Sequence, residues 1–146
     1  MDTNSGFHTL KGYELLEDNK ITKSMEDYLE MICRYAKQEH FVRINFLASR
    51  LNVRPSSASK MVYNLKIAGL VSFEKYGVVQ PTRKGWELGS YLLYRHDVLN
   101  RFFCLLNQSE DELEQVEQIE HFMNKDTVIN LEKLCGKLEQ DRKDKK

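Results

Sequence analysis

Apolar side chains recur at helical spacing along most of the chain. Met25, Tyr28, Leu29, Ile32 and Ala36 fall three and four apart and predict a helix beginning near Thr22. Asp27 and Glu30 lie opposite that stripe, about 60° from each other around the helix. A second helix is expected over Ile44–Leu51. Asn52, Val53 and Arg54 then make a turn, because asparagine tolerates a left-handed backbone. Pro55 suits the first turn of a third helix, where its missing N–H costs nothing. Met61, Val62, Leu65 and Ala68 supply that helix's buried stripe, and Gly69 ends it. The pattern then changes. Leu70–Lys75 and Val78–Thr82 are short β-prone runs around Tyr76 and Gly77, a small hairpin in which Pro81 marks an edge strand. Three further helices follow: a long one from about Arg83 to Leu106, one over Glu110–Met123 capped by Ser109, and one over Asp126–Gln140. The charged tail DRKDKK reads as frayed, and residues 1–21 as a polar extension with a short helix near Tyr13–Leu16.

The order helix, helix, turn, helix, hairpin is that of a winged helix-turn-helix, with the third helix as reading helix and the hairpin as wing. The expected fold is therefore mainly α. It has an N-terminal extension (1–21), a winged helix-turn-helix DNA-binding domain (22–88) and a helical domain (89–146). Leu99, Phe102 and Phe103 are expected as exposed apolar positions suited to a dimer.

Charge sharpens this picture. The 146 residues carry 22 basic and 22 acidic side chains, but the zero net charge hides a segregation. Arg43–Gly85 holds eight basic residues and one acid, Glu74, whereas Glu110–Glu120 holds six acids and no base. A basic middle next to a hairpin suits duplex DNA. No apolar run approaches the ~18 residues that span a bilayer, and the first twenty residues lack a secretory pattern. Three scattered cysteines, Cys33, Cys104 and Cys135, form no C-x-x-C pair and read as reduced thiols of a cytoplasmic protein. H-E-x-x-H, G-x-S-x-G and phosphate-loop motifs are missing, and no histidine follows a glutamate by three residues. The expectation is a protein that is not an enzyme, with no small organic substrate and no membrane partner.

The acidic segment contains Glu117, Glu120 and His121 in the string EQIEH, which fall within about a 100° arc of the expected helix. Val116, Ile119 and Met123 occupy another face. His96 sits inside the apolar stretch YLLYRHDVL. Taken singly, each group is a solvated acidic face or a core histidine. Together with Asp27 and Glu30 they make a candidate cation site of four carboxylates and two imidazoles. Carboxylates about 4 Å apart repel by about 4 kcal/mol at an effective dielectric of 20. Two divalent ions would balance a formal charge of −4, and oxygen-rich donors with some imidazole suit Mn²⁺ or Fe²⁺ better than thiophilic metals.

SMEDYLEMI, RPSSASKMVYNLKIAGLVSFEKYGVV, TRKGWELG, YRHDVL and VEQIEHFM occur in that order, and over about residues 22–140 the chain resembles the diphtheria toxin repressor family, in its manganese-responsive branch. The resemblance implies a homodimer that binds double-stranded DNA at a palindromic operator, with residues 89–146 as its metal-binding and dimerisation domain. It implies two metal ions per subunit, Mn²⁺ with Fe²⁺ as alternative, held by Asp27, Glu30, His96, Glu117, Glu120 and His121. One ion would take Asp27, Glu117, Glu120 and His121; the other would take Glu30 and His96 and share Glu117 and Glu120. The iron-sensing branch carries a methionine at the position of Asp27 and a cysteine at that of Glu117, so the oxygen donors here favour manganese. The extension before Thr22 and Asn124 depart from the family pattern without touching a ligand.

On the DNA side, Arg54, Pro55, Ser56, Ser57, Ser59 and Lys60 open the reading helix, with Ser56 or Ser57 also serving as cap, and Lys75 and Tyr76 stand on the wing. Few of these can make bidentate base contacts, so DNA shape is expected to carry part of the specificity. The function expected is a manganese-responsive repressor of metal-uptake genes. The alternatives are an iron-dependent repressor of the same fold and a winged-helix interaction module without metal switching.

Overall fold

The computed structural model describes residues 21–145, so the expected helix at Tyr13–Leu16 lies outside the described residues. The described residues form two compact units that divide between Leu93 and Tyr94, inside a long helix.

The first unit opens with α1, Lys23–Lys37, whose N-cap Thr22 accepts the Met25 N–H through its hydroxyl at 3.1 Å. Next come α2, Ile44–Leu51, and α3, Pro55–Ile67. Between these two, Asn52 adopts the left-handed conformation (φ 56°, ψ 48°) and Pro55 takes the first helical position, as the sequence predicts. Gly69 then turns the chain at φ 78°. Strands β1, Val71–Phe73, and β2, Val79–Pro81, pair antiparallel with Phe73 opposite Val79. At the hairpin tip Tyr76 and Gly77 both have positive φ, the pair of values that a right-twisted hairpin turn needs. On its other side β2 meets the segment before α2, where the Val79 N–H donates to the Val42 carbonyl at 2.7 Å. Leu29, Ile32, Leu47, Val62, Leu65 and Leu70 form the core, each fully buried.

The long helix α4, Arg83–Asn107, is sealed onto the hairpin at its start. Thr82 accepts the Gly85 N–H at 3.1 Å and donates its hydroxyl to the Gly69 carbonyl at 2.6 Å. A Cβ on Gly85 would lie 1.9 Å from the Leu70 carbonyl oxygen, and one on Gly89 would lie 2.3 Å from Cys33 Sγ. Of these glycines of TRKGWELG, Gly85 therefore permits a close approach of backbones and Gly89 makes room for the Cys33 side chain, which no larger residue would allow. Burial beneath them, with help from the Glu30 charge, pushes the Cys33 thiol up to about 12. It stays a neutral, inert core group at ordinary pH.

The second unit comprises the rest of α4, α5 (Leu113–Ile119), a 3-10 turn (Glu120–Phe122) and α6 (Lys125–Asp144). Two rungs of polar contacts join α4 to α6. The Tyr94 hydroxyl donates to Glu132 at 3.0 Å, and Arg101 donates twice to Glu139 at 2.6 and 3.0 Å. The rungs advance by seven residues on each helix, so α4 and α6 run parallel.

Four expectations are corrected here. The fifth helix is shorter than Glu110–Met123 at both ends. Ser109 is not its cap: the hydroxyl donates to Glu112 at 2.7 Å, Glu112 takes the N-cap position, and Asp111 accepts the Leu113 N–H. Leu99 is fully buried rather than exposed, and Phe102 and Phe103 are half-buried with their rings 5.4 Å apart. The tail is helical to Asp144, because Arg142 donates to the Leu105 carbonyl at 2.8 Å and its charge favours a helix C-terminus. Asn124, a departure from the family pattern, is the N-cap of α6 and accepts the Thr127 N–H at 2.9 Å.

Candidate metal centre and nucleic-acid interface

Apolar packing decides which side chains α3 shows to water. Ala58, Val62 and Leu65 are buried against the other helices, so the opposite face of α3 must be exposed. Arg54, Pro55, Ser56, Ser57, Ser59 and Lys60 are all exposed, as are Lys75 and Tyr76 on the hairpin. No side chain caps α3. The expectation that Ser56 or Ser57 serves as cap is thus corrected, and their hydroxyls remain for an outside partner. The same exposed face continues through Tyr63 and Ile67, 57% and 70% exposed, one and two helical turns beyond Lys60. Sequence reasoning passed over both, although their spacing of three and seven from Lys60 was the available signal.

The donor groups are described within each unit. In the first unit, Asp27 is exposed on α1 and Glu30, one turn on, is buried. Glu30 accepts from Arg34 at 3.0 Å. Glu26, also buried, is an α1 carboxylate that the apolar stripe did not bring forward.

In the second unit, Glu120 is 1% exposed. Its Oε2 lies 3.0 Å from His96 Nδ1 and its Oε1 lies 3.8 Å from His121 Nε2. One carboxylate thus faces two imidazoles, one on each oxygen. His96 reaches it from the side of α4 opposite the Tyr94–Arg101 rungs, about 200° around the helix from Tyr94. His121 reaches it because α5 stops at Ile119 and the chain tightens into the 3-10 turn. The single helical arc expected for Glu117, Glu120 and His121 is therefore not the geometry. Glu117 is exposed on the last turns of α5, while the other two follow a different winding. A buried carboxylate among imidazoles is costly unless protons or cations satisfy it. Carboxylate oxygen and imidazole nitrogen are donors that suit borderline and hard divalent cations.

A winged-helix unit with an exposed reading helix, followed by a helical unit with a buried carboxylate–imidazole cluster, defines a class of regulator in which a cation site accompanies a DNA-binding domain. Family profiles agree. "Iron dependent repressor, N-terminal DNA binding domain" matches residues 20–79, and "Iron dependent repressor, metal binding and dimerisation domain" matches residues 82–146. The chain belongs to the iron-dependent repressor family and is a metal-responsive, DNA-binding transcriptional regulator. It is similar to the HTH-type transcriptional regulator MntR of Geobacillus kaustophilus (strain HTA426), 34% identical over 123 residues, which cover 84% of this chain and 87% of the relative. It is equally similar to that of Bacillus subtilis (strain 168), 34% identical over 126 residues, 86% of this chain and 89% of the relative. Among solved structures, the manganese regulator SloR aligns with TM-score 0.65 and 27% identity over 77% of this chain. The chain spans only 53% of that structure. The hypothetical protein SSo2273 from Sulfolobus solfataricus aligns with TM-score 0.57 and 26% identity, covering 80% of this chain and 90% of its own. No helix among the described residues is long and apolar enough to cross a membrane.

Proposed function

We propose that the chain is a manganese-responsive repressor of metal-uptake genes. It acts in the cytoplasm as a homodimer on a palindromic operator and catalyses no reaction. The observation that carries this reading is the Glu120 carboxylate set between His96 and His121. Asp27, Glu30, His96, Glu117, Glu120 and His121 would hold two Mn²⁺ ions per subunit. The set contains four carboxylates and two imidazoles and no sulfur, which suits Mn²⁺ over thiophilic metals. The relative named as a manganese regulator supports the same choice. When bound, the cations would neutralise the carboxylates that hold them.

The chain's own residues supply the rest. Asp27 and Glu30 stand on the helix that packs behind the reading helix, so whatever fixes α1 also fixes α3. Successive major-groove faces of DNA recur about every 34 Å, and a dimer whose two reading helices keep that separation favours a palindrome. A coupling of about 1–3 kcal/mol per site suffices for a switch of roughly 5–150-fold. Ser56, Ser57, Ser59 and Lys60 would meet bases and phosphates, and Arg54, Lys75 and Tyr76 the backbone.

The test is fluorescence anisotropy of the purified protein on the DNA upstream of its own gene, first with chelator, then with Mn²⁺ or anaerobic Fe²⁺. Tight binding only with Mn²⁺ is the expected result. Equal binding with chelator removes metal from the switch, and a preference for Fe²⁺ replaces manganese with iron.

A further inference from the structure

The wing tip is built from two segments, and only one of them belongs to the hairpin. The Val79–Val42 hydrogen bond brings the segment before α2 alongside β2. That contact places Arg43 at the tip, where its Nε–H donates to the Tyr76 carbonyl at 3.1 Å. The guanidinium carbon also lies 5.9 Å from the centre of the Phe41 ring. Phe41 and Tyr76 are 71% and 88% exposed, so the cation has one large ring beside it in open water and holds the backbone of a residue that carries a second. Tyr76 holds this position at φ 63°, a conformation disfavoured for a side chain of its size. The bond from Arg43 fixes its carbonyl. Arg43 is itself exposed, and spending Nε on Tyr76 leaves both terminal nitrogens for an outside acceptor. Nothing in the hairpin sequence alone points to this residue, because it lies 33 positions from its partner.

We infer that Arg43, with Phe41 and Tyr76, forms a composite tip that enters the minor groove beside the half-site read by α3 and senses its width. A guanidinium is more weakly hydrated than an ammonium and is drawn to the enhanced negative potential of a narrow A·T minor groove. Exposed rings beside it can pack on sugars or wedge at a flexible step. Arg43 would then supply shape-dependent specificity that the serines of α3, with few bidentate contacts, cannot. This inference rests on the DNA-binding reading of the first unit and adds a residue to it.

The experiment begins with a duplex selected from a random-sequence library by the wild-type protein in Mn²⁺. Two versions of that duplex replace the A·T pairs flanking each half-site, one with G·C and one with inosine·C. Inosine·C keeps the major-groove face of G·C but presents the minor-groove face of an A·T pair. Wild type should bind the A·T and inosine·C duplexes alike and the G·C duplex several-fold more weakly. Arg43→Ala should bind the selected duplex about tenfold more weakly, lose the discrimination, and lower the salt slope by about one. Arg43→Lys should keep the slope and lose most of the discrimination. Discrimination unchanged in both variants overturns the inference while leaving DNA binding intact. A selection that enriches no sequence overturns the DNA-binding reading and the inference with it.

Discussion

Between Val42 and Thr82 every buried side chain is apolar, and all the charge of that segment is in water. Around His96 and Glu120 the reverse holds: Arg95, His96 and Glu120 are among the most buried side chains of their region. The first region is an ordinary core whose exposed face is left over for a partner. The second places polar groups where burial is costly and must be compensated. A structural element tolerates no loss of fit, whereas a site tuned for a ligand tolerates loss of the ligating groups and forfeits only the response.

The strongest way to sharpen this contrast is at Gly85, in the first region's seam with α4. Gly85→Ala forces a Cβ into the Leu70 carbonyl, and backbone cannot step aside as a flexible side chain does. A loss of about 3 kcal/mol is expected, the upper end for overpacking. In a chain of this size it lowers the melting temperature by roughly ten degrees with or without metal. A melt within two degrees or so of wild type would show that the seam relaxes easily.

At Glu120 the expectation is opposite in kind. Glu120→Ala removes a buried charge, so the chelated protein should melt close to wild type. Added Mn²⁺ at about 100 times its dissociation constant should stabilise wild type by about 2.7 kcal/mol and leave the variant unmoved. A variant that unfolds without metal would make Glu120 structural and erase the distinction between the two regions.

The smallest effect belongs to the Arg101–Glu139 rung. The Arg101 guanidinium holds the Glu139 carboxyl below its ordinary range through the hydrogen bond first and charge second. The folded pKa is depressed, so the contribution is present above the unfolded carboxylate value and is lost as pH falls through the lower folded one. Both side chains are over a third exposed, so the contribution stays below about 1 kcal/mol. Melts of Glu139→Gln from neutral to acid pH should show a slightly flatter acid limb than wild type. An identical limb would assign the rung no energetic role.

The same contrast explains what was legible in the sequence. Asn52, Pro55 and Gly69 announce turns through backbone chemistry that depends on no distant residue, and the structure places all three as expected. The stripe of α3 is legible because its core is wholly apolar. The donor types of the second unit were legible too, but their geometry was not. α5 ends at Ile119 and a 3-10 turn takes over at Glu120, and no local propensity of the string EQIEH marks the change of winding. Leu99 was misjudged for a related reason, since on a helix contacted from several sides an apolar residue is as readily core as interface. Arg43 stayed unnoticed because its partner is a backbone carbonyl far along the chain.

The rungs between α4 and α6 have one more consequence. Sliding α6 by one turn in one direction would bring Tyr94 level with Val128 and Arg101 level with Cys135, both buried positions with no acceptor for either donor. Sliding it the other way would set Tyr94 level with Gly136 and Arg101 level with Lys143, cation against cation. The two helices therefore have a single register, like a key with one cut. Whatever displaces α4 along its axis carries α6 with it as one piece.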